Sequence, residues 1–270
     1  MADLLRVEGL SKTFALGGPP WSRRKVAALK DISLAVQRGK TLGLVGESGS
    51  GKSTLGRCIL GLTEADSGAV IFDGVAVQSL SGRALSDFRR RVQPVFQDPY
   101  GSLDPRWPVG RSVREALECF RIGSPNDRDA RVRDLFDRVG LNPALATRLP
   151  DALSGGQRQR VAIAAALASS PDLIIADEPV SALDMSVQAQ ILNLFMDLQA
   201  DLGVACVFIT HDLGVVEHVS DDVAVLYHGE LVELGPTAEV MHHPQHAYTR
   251  TLLAAIPTLA FGGFHADSPA

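Results

Sequence analysis

Apolar positions recur along this chain in two rhythms. From residue 29 to 36 they alternate with polar ones, the period of a half-buried strand, before Arg38-Gly39-Lys40 turns the chain. Short strands of this kind are expected over residues 4–45. Residues 41–45, 172–176 and 204–210 are compact apolar runs that suit strands buried on both faces. Residues 68–77 and 223–234 read as hairpins turning at Asp73-Gly74 and His228-Gly229, and 92–96 as a further strand. The helical rhythm appears at 53–62, 113–120, 132–139 and 154–168. It also appears at 187–202, where Val187, Ile191, Leu194, Leu198 and Leu202 fall at three- and four-residue steps. Strands alternating with helices predict a mostly parallel sheet with helices on its faces. Residues 98–150 open with Pro99, Gly101, Pro105, Pro108 and Gly110 and continue as charged helical sequence, so an α-helical subdomain is expected to be inserted there. The end, from about 258, is expected to be frayed.

Composition narrows the class. The chain has 270 residues, 46% hydrophobic and 21% charged, enough to bury a sizeable core. The formal net charge of −5 disfavours nucleic acid as the main partner. Three scattered cysteines, Cys58, Cys119 and Cys206, form neither a disulfide framework nor a metal cluster, as expected of a reducing cytosol. The first residues lack the apolar stretch of a signal peptide, and no apolar run reaches bilayer length, so any membrane part is expected from other chains.

Candidate chemistry begins at Gly46-Glu47-Ser48-Gly49-Ser50-Gly51-Lys52-Ser53, followed by Thr54, between an expected strand and an expected helix. This matches the P-loop pattern G-x-x-x-x-G-K-[ST]: glycines let backbone N–H groups turn onto phosphate oxygens, lysine reaches the β- and γ-phosphates, and the Ser53 hydroxyl holds Mg²⁺. A second apolar strand delivers Asp177 and Glu178 at its C-terminal end, where open α/β sheets bind ligands. Asp177 is placed to orient Mg²⁺ and Glu178 to act as general base on water.

Leu153-Ser154-Gly155-Gly156-Gln157 resembles the LSGGQ signature of ATP-binding-cassette (ABC) ATPases. Gln97 resembles that family's Q-loop glutamine, Ser181-Ala182-Leu183-Asp184 its D-loop, His211 its switch histidine and Phe14 its adenine-stacking aromatic. Taken singly, Ser154 reads equally as a helix cap and Phe14 as a core residue. The resemblance covers about residues 4–257. It implies a P-loop NTPase (RecA-like) core of about 1–97 and 171–235 with an antiparallel β subdomain. It also implies a helical subdomain of about 98–170 and a C-terminal extension of 236–257. By the same resemblance Gln97 touches the metal or the attacking water and His211 the γ-phosphate. Ser154, Gly155 and Gly156 grip ATP bound to a second cassette, identical or different.

The stretches Val95-Phe96-Gln97-Asp98-Pro99-Tyr100, Ser102-Leu103-Asp104-Pro105-Arg106 and His243-Pro244-Gln245-His246-Ala247-Tyr248-Thr249, with the end Leu252-Leu253-Ala254-Ala255-Ile256-Pro257, resemble the oligopeptide/dipeptide/nickel uptake group. That implies two transmembrane permease subunits, an extracytoplasmic solute-binding protein and a peripheral place on the cytoplasmic membrane face. Peptides are the expected cargo, with nickel, opines and glutathione-like compounds as alternatives. A DNA-maintenance ATPase would need a long coiled coil between P-loop and signature, where this chain has only residues 54–153. A translation factor would need tandem cassettes. Some members of the uptake group carry an iron–sulfur cluster on tail cysteines; this tail has none, so no cluster is expected. A metal site from His242, His243 and His246 is a disfavoured alternative. Ala165 stands where the group usually has arginine.

Overall fold

The structure is a computed structural model and describes residues 3–16, 24–98, 101 and 103–255. The frayed end expected beyond 257 and the resemblance carried by Pro99, Tyr100, Ser102, Ile256 and Pro257 lie outside the described residues.

The two continuous apolar runs expected around the P-loop and the Asp177-Glu178 pair become the centre of a six-stranded sheet. Its order is β10 (Glu230–Pro236), β9 (Asp222–Tyr227), β3 (Thr41–Val45), β8 (Ala205–Ile209), β7 (Leu173–Asp177) and β6 (Val92–Val95). All neighbours run parallel except the antiparallel edge pair of β9 and β10. Side chains alternate across this sheet, and each face has its own cover. Ile174, Ala176, Cys206 and Phe208 share a core with Val113, Phe136, Val161 and Ile191. Leu173, Ile175, Val207 and Ile209 share the other with Leu5, Leu10, Ile32 and Val70. Burial on both faces is why these strands read as apolar runs rather than alternating ones.

The second cover is a four-stranded antiparallel sheet of order β2 (Arg24–Gln37), β1 (Asp3–Leu16), β4 (Ser67–Phe72) and β5 (Val75–Ala76). Here the structure corrects the expectation of short strands: β1 and β2 each run 14 residues. Their register shifts at bulges near Gly9 and Asp31, both in the left-handed region (φ 58° and 53°), which breaks the alternation in the sequence. The displaced N–H groups find cross-strand hydroxyls, Gly9 on Ser33 at 2.9 Å and Asp31 on Ser11 at 3.0 Å.

Between β6 and β7 the chain is helical. The described residues there include the helices α3 (Val109–Cys119), α4 (Pro125–Arg138) and α5 (Gly155–Leu167). They pack into the first core, so this segment is not separately cored. The helix α1 (Lys52–Ile59) follows β3, and α6 (Met185–Leu202) and α7 (Leu213–Val219) flank β8. The chain closes with α8 (Thr237–His242) and α9 (Ala247–Ala254), which form a third core with Val45, Val223 and Val225. Helix α2 (Gly82–Arg91) lies outside the expected set: it sets only Phe88, with Leu85 partly buried beside it, against the core, too short an apolar stripe to stand out in the sequence. Among the described residues no helix is long and apolar enough to cross a membrane.

Candidate functional site

The site forms where β3, β7 and β8 end together. The loop after β3 turns at Gly46, whose φ of 149° and position leave no room for a side chain: an added Cβ would lie 2.1 Å from the Leu226 carbonyl oxygen. Lys52 then folds back over the loop. The residue is buried (5% exposed), and its ammonium donates to the carbonyls of Gly46 at 2.7 Å and Glu47 at 2.9 Å. Burial lowers the lysine's pKa, opposed by the charges of Glu178, Asp177 and Glu47. Helix α1 starts from Gly51 with no capping side chain and no acidic residue in its first turn, leaving its first N–H groups for an anion. The Ser50 hydroxyl is buried and has no hydrogen-bond partner among the described residues. Glu47, Ser48 and Gly49 of the loop are exposed, and Ser53 and Thr54 follow on α1.

The two carboxylates arrive as expected from β7. Ser53 Oγ donates to Asp177 Oδ1 at 3.0 Å, so the two expected metal ligands are joined. Burial raises the pKa of Asp177, with the Ser53 hydrogen bond pulling the other way. Glu178 departs from the strand in the left-handed region (φ 47°) and is pinned by its own N–H on the Ile209 carbonyl at 2.9 Å. A non-glycine residue held there stores strain of the kind concentrated at functional sites. Its carboxylate lies 3.4 Å from Nδ1 of His211, which is exposed just beyond β8. These oxygen donors suit a hard cation such as Mg²⁺.

The other expected residues stand around this centre. Gln97 is exposed two residues beyond the pairing of Val95 with Ala176, just past the end of the strand next to the one that carries the carboxylates. Phe14 is 40% exposed, which overturns its reading as a core residue. It pairs with Val26 on β2, and β2 brings the Ala28 carbonyl against Gly51 of the loop. Lys12 lies 5.5 Å from the Phe14 ring centroid.

Ser154 is the N-cap of α5 in a capping box with Gln157, its oxygen accepting from the Gln157 N–H at 3.3 Å while the Gln157 side chain accepts from the Ser154 N–H at 2.9 Å. Among the described residues no hydrogen bond joins Ser154–Gln157 to the loop of Lys52. Instead, Gly155 and Gly156 pack beside Leu183 and Val187. Asp184 caps α6 through the Val187 N–H at 3.0 Å and accepts from Ser186 Oγ at 2.8 Å. His246 caps α9, while His242 and His243 belong to α8 and its end; among the described residues no three potential metal ligands converge. One contact was absent from the sequence reading: the Glu47 N–H donates to the phenol oxygen of Tyr248 at 3.0 Å, across 201 positions of chain. No local pattern announces such a pair.

Comparison with known proteins identifies the family of the chain. A family model described as "ABC transporter" matches residues 29–181, and one described as "Oligopeptide/dipeptide transporter, C-terminal region" matches 232–263. Curated relatives include the glutathione import ATP-binding protein GsiA of Salmonella paratyphi A, 51% identical over 256 residues. The match covers 94% of this chain and 41% of that protein. The same protein of Pectobacterium atrosepticum is 49% identical, with 94% and 41% covered. The chain thus spans 41% of the length of these relatives. Among solved structures, the dimeric post-hydrolysis state of the ATP-binding cassette MJ0796 bound to ADP and Pi superposes with a TM-score of 0.77. It is 31% identical, covering 86% of this chain and 98% of that one. The protein cbiO1 of Clostridium perfringens, part of the ABC transporter complex cbiONQ, gives 0.76 at 30% identity, covering 88% and 90%.

Proposed function

This chain belongs to the ABC transporter family, and from that premise we propose that it is the ATP-hydrolysing subunit of an importer, working as a dimer of cassettes on separate membrane permeases. The observation that carries the reading is the meeting of Lys52, Ser53, Asp177 and Glu178 at the ends of β3 and β7. Lys52 and the uncapped start of α1 receive the phosphates, a clustered charge that replaces water around the transferring group. Ser53 and Asp177, with Gln97 alongside, hold Mg²⁺, which neutralises phosphate charge when bound. Glu178 orients the attacking water and accepts its proton. His211, exposed and within reach of Glu178, turns toward the γ-phosphate. Phe14 sits at the loop's flank, on the side open to the adenine.

Ser154 serves the other cassette. Its oxygen lone pair is used by the cap, while its O–H remains available to a phosphate oxygen of nucleotide bound on the partner's loop, joined there by the first N–H groups of α5. The segment 98–170 is then the helical subdomain that carries the signature toward the partner, and 236–257 an extension behind the loop. A groove of about 430 Å³ lined by Phe96, Leu103, Trp107 and Cys119 lies directly beyond β6, beside Gln97. It is the proposed seat of a permease helix, with Ala165 at its edge instead of the group's arginine. The chain would work at the cytoplasmic membrane face, served indirectly by a solute-binding protein. A short peptide is the proposed cargo, and the relatives' printed role in glutathione import favours one of that size.

The direct test is Glu178→Gln, which keeps shape and hydrogen bonding but removes the base. Binding of ATP is retained, hydrolysis falls by about a hundredfold, and ATP traps a closed dimer seen by size-exclusion chromatography. Wild-type turnover in this variant assigns the base elsewhere.

A further inference from the structure

We infer that Tyr248 is a positioning residue of the nucleotide site, through which the C-terminal region holds the phosphate-binding loop in its receptive shape. The inference rests on the proposal that this loop binds ATP. Its basis is a single peptide group. The carbonyl of Gly46 accepts from Lys52 Nζ at 2.7 Å, and the N–H of Glu47, the other end of the same peptide, donates to the Tyr248 phenol at 3.0 Å. The peptide is planar and trans, so these two groups point in opposite directions. The lysine therefore braces the loop from its phosphate side, and the tyrosine braces it from behind.

Such a brace has work to do at this position. Gly46 has no Cβ, so rotation of the following peptide meets little steric resistance. A turned peptide would carry the Gly46 carbonyl away from Lys52 and release the ammonium from its place. The phenol opposes this because it is itself fixed. Tyr248 is 9% exposed, and its ring centroid lies 4.0 Å from that of Tyr227 in the core shared with Val45 and Val225. The turn before it is clamped by Glu233, whose carboxylate accepts from the N–H groups of Gln245 at 2.7 Å and His246 at 3.1 Å. His246 Nδ1 then accepts from the Tyr248 N–H at 3.2 Å. Burial also raises the phenol's pKa, so it stays a neutral partner across the physiological range.

A preorganised loop lowers the ordering cost of binding, whereas bound phosphates themselves hold the loop during the chemical step. The brace should therefore act on nucleotide affinity more than on turnover. In the full chain, Tyr248→Phe keeps the ring against Tyr227 and removes only the phenol oxygen. The expected result is an ATP Kd and KM raised about fivefold, the size of one lost hydrogen bond, with kcat at saturating ATP within twofold of wild type. Thr251→Ala, on the exposed side of the same helix, leaves both unchanged. Glu233→Gln, which weakens the clamp and keeps the phenol, raises Kd by a smaller factor and guards against a folding defect of the first variant. ATP affinity within twofold of wild type in both Tyr248→Phe and Glu233→Gln overturns the inference, as does a fall in kcat at unchanged KM. A wild-type chain that fails to bind ATP would instead refute the reading of the loop itself.

Discussion

Asp177, the proposed metal ligand, opposes the fold that carries it while no cation is bound. Its carboxylate is partly withdrawn from water at the end of β7, and burial raises its pKa above that of a free aspartate. A raised folded pKa means that the group favours folding fully only below the unfolded value, and that this contribution is lost as pH rises through the folded one. At neutral pH the ionised carboxylate therefore costs stability while no cation is bound. Asp177→Asn keeps an acceptor for Ser53 and removes the charge, and Glu178 remains as the larger of the carboxylate influences on Lys52. The nucleotide-free variant should unfold at higher denaturant than wild type at pH 7, by about 1 kcal/mol, while losing Mg²⁺-dependent hydrolysis. The stability difference should shrink as the pH falls through the raised pKa toward the ordinary aspartate range. Equal stability of the two proteins at pH 7 would show that the Ser53 bond and Lys52 already compensate the buried charge. Residues of this kind were readable from sequence because their chemistry is local: a P-loop and an acidic strand end each fit within eight positions. The strained backbone of Glu178 was not, because its pin is the Ile209 carbonyl on another strand.

Elements were readable to the degree that burial imposes a period. β3, β7 and β8 stand out because both faces are covered, and α6 because one face is. The lengths of β1 and β2 were hidden by bulges that interrupt alternation at Gly9 and Asp31, and α2 by a surface almost wholly polar. Contacts between elements stayed hidden too, and the signature glycines show what that conceals. Gly156 reads from sequence as a residue chosen for phosphate, yet an added Cβ would stand 2.5 Å from Val187 Cγ1 at the start of α6. The glycine is therefore also required for α5 and α6 to approach. Gly156→Ala should destabilise the chain by about 1–3 kcal/mol through overpacking. Val187→Ala in the same chain should recover part of that loss by opening the space. Urea unfolding of the two single variants and the double variant measures the coupling, and strictly additive effects would place the steric conflict elsewhere.

At the scale of the whole molecule, each chain presents a phosphate-binding loop and a signature helix that do not meet. Lys52 lies at the ends of the parallel strands, whereas Ser154 opens a helix whose own contacts run to Leu183 and Val187. The separation follows from topology, since the segment between β6 and β7 leaves the sheet as helices before returning. In the proposed dimer the two half-sites of one chain are completed by a second cassette arranged head to tail, so that ATP becomes part of the contact and its hydrolysis weakens it. In that arrangement the loss of Ser154 is felt in trans. In a mixed complex with one variant cassette, Ser154→Arg fills the place of the γ-phosphate bound to the partner and leaves the variant's own loop intact. The substitution also removes an N-cap worth about 1 kcal/mol, so Ser154→Asp is the companion variant. It keeps the cap and instead sets a negative charge against the phosphate. Vanadate trapping of a photoreactive nucleotide should lose label on the wild-type partner first, with either variant. Label lost only from the chain that carries the substitution would mean that Ser154 serves its own loop, and a head-to-tail closure of the two cassettes around ATP could not stand.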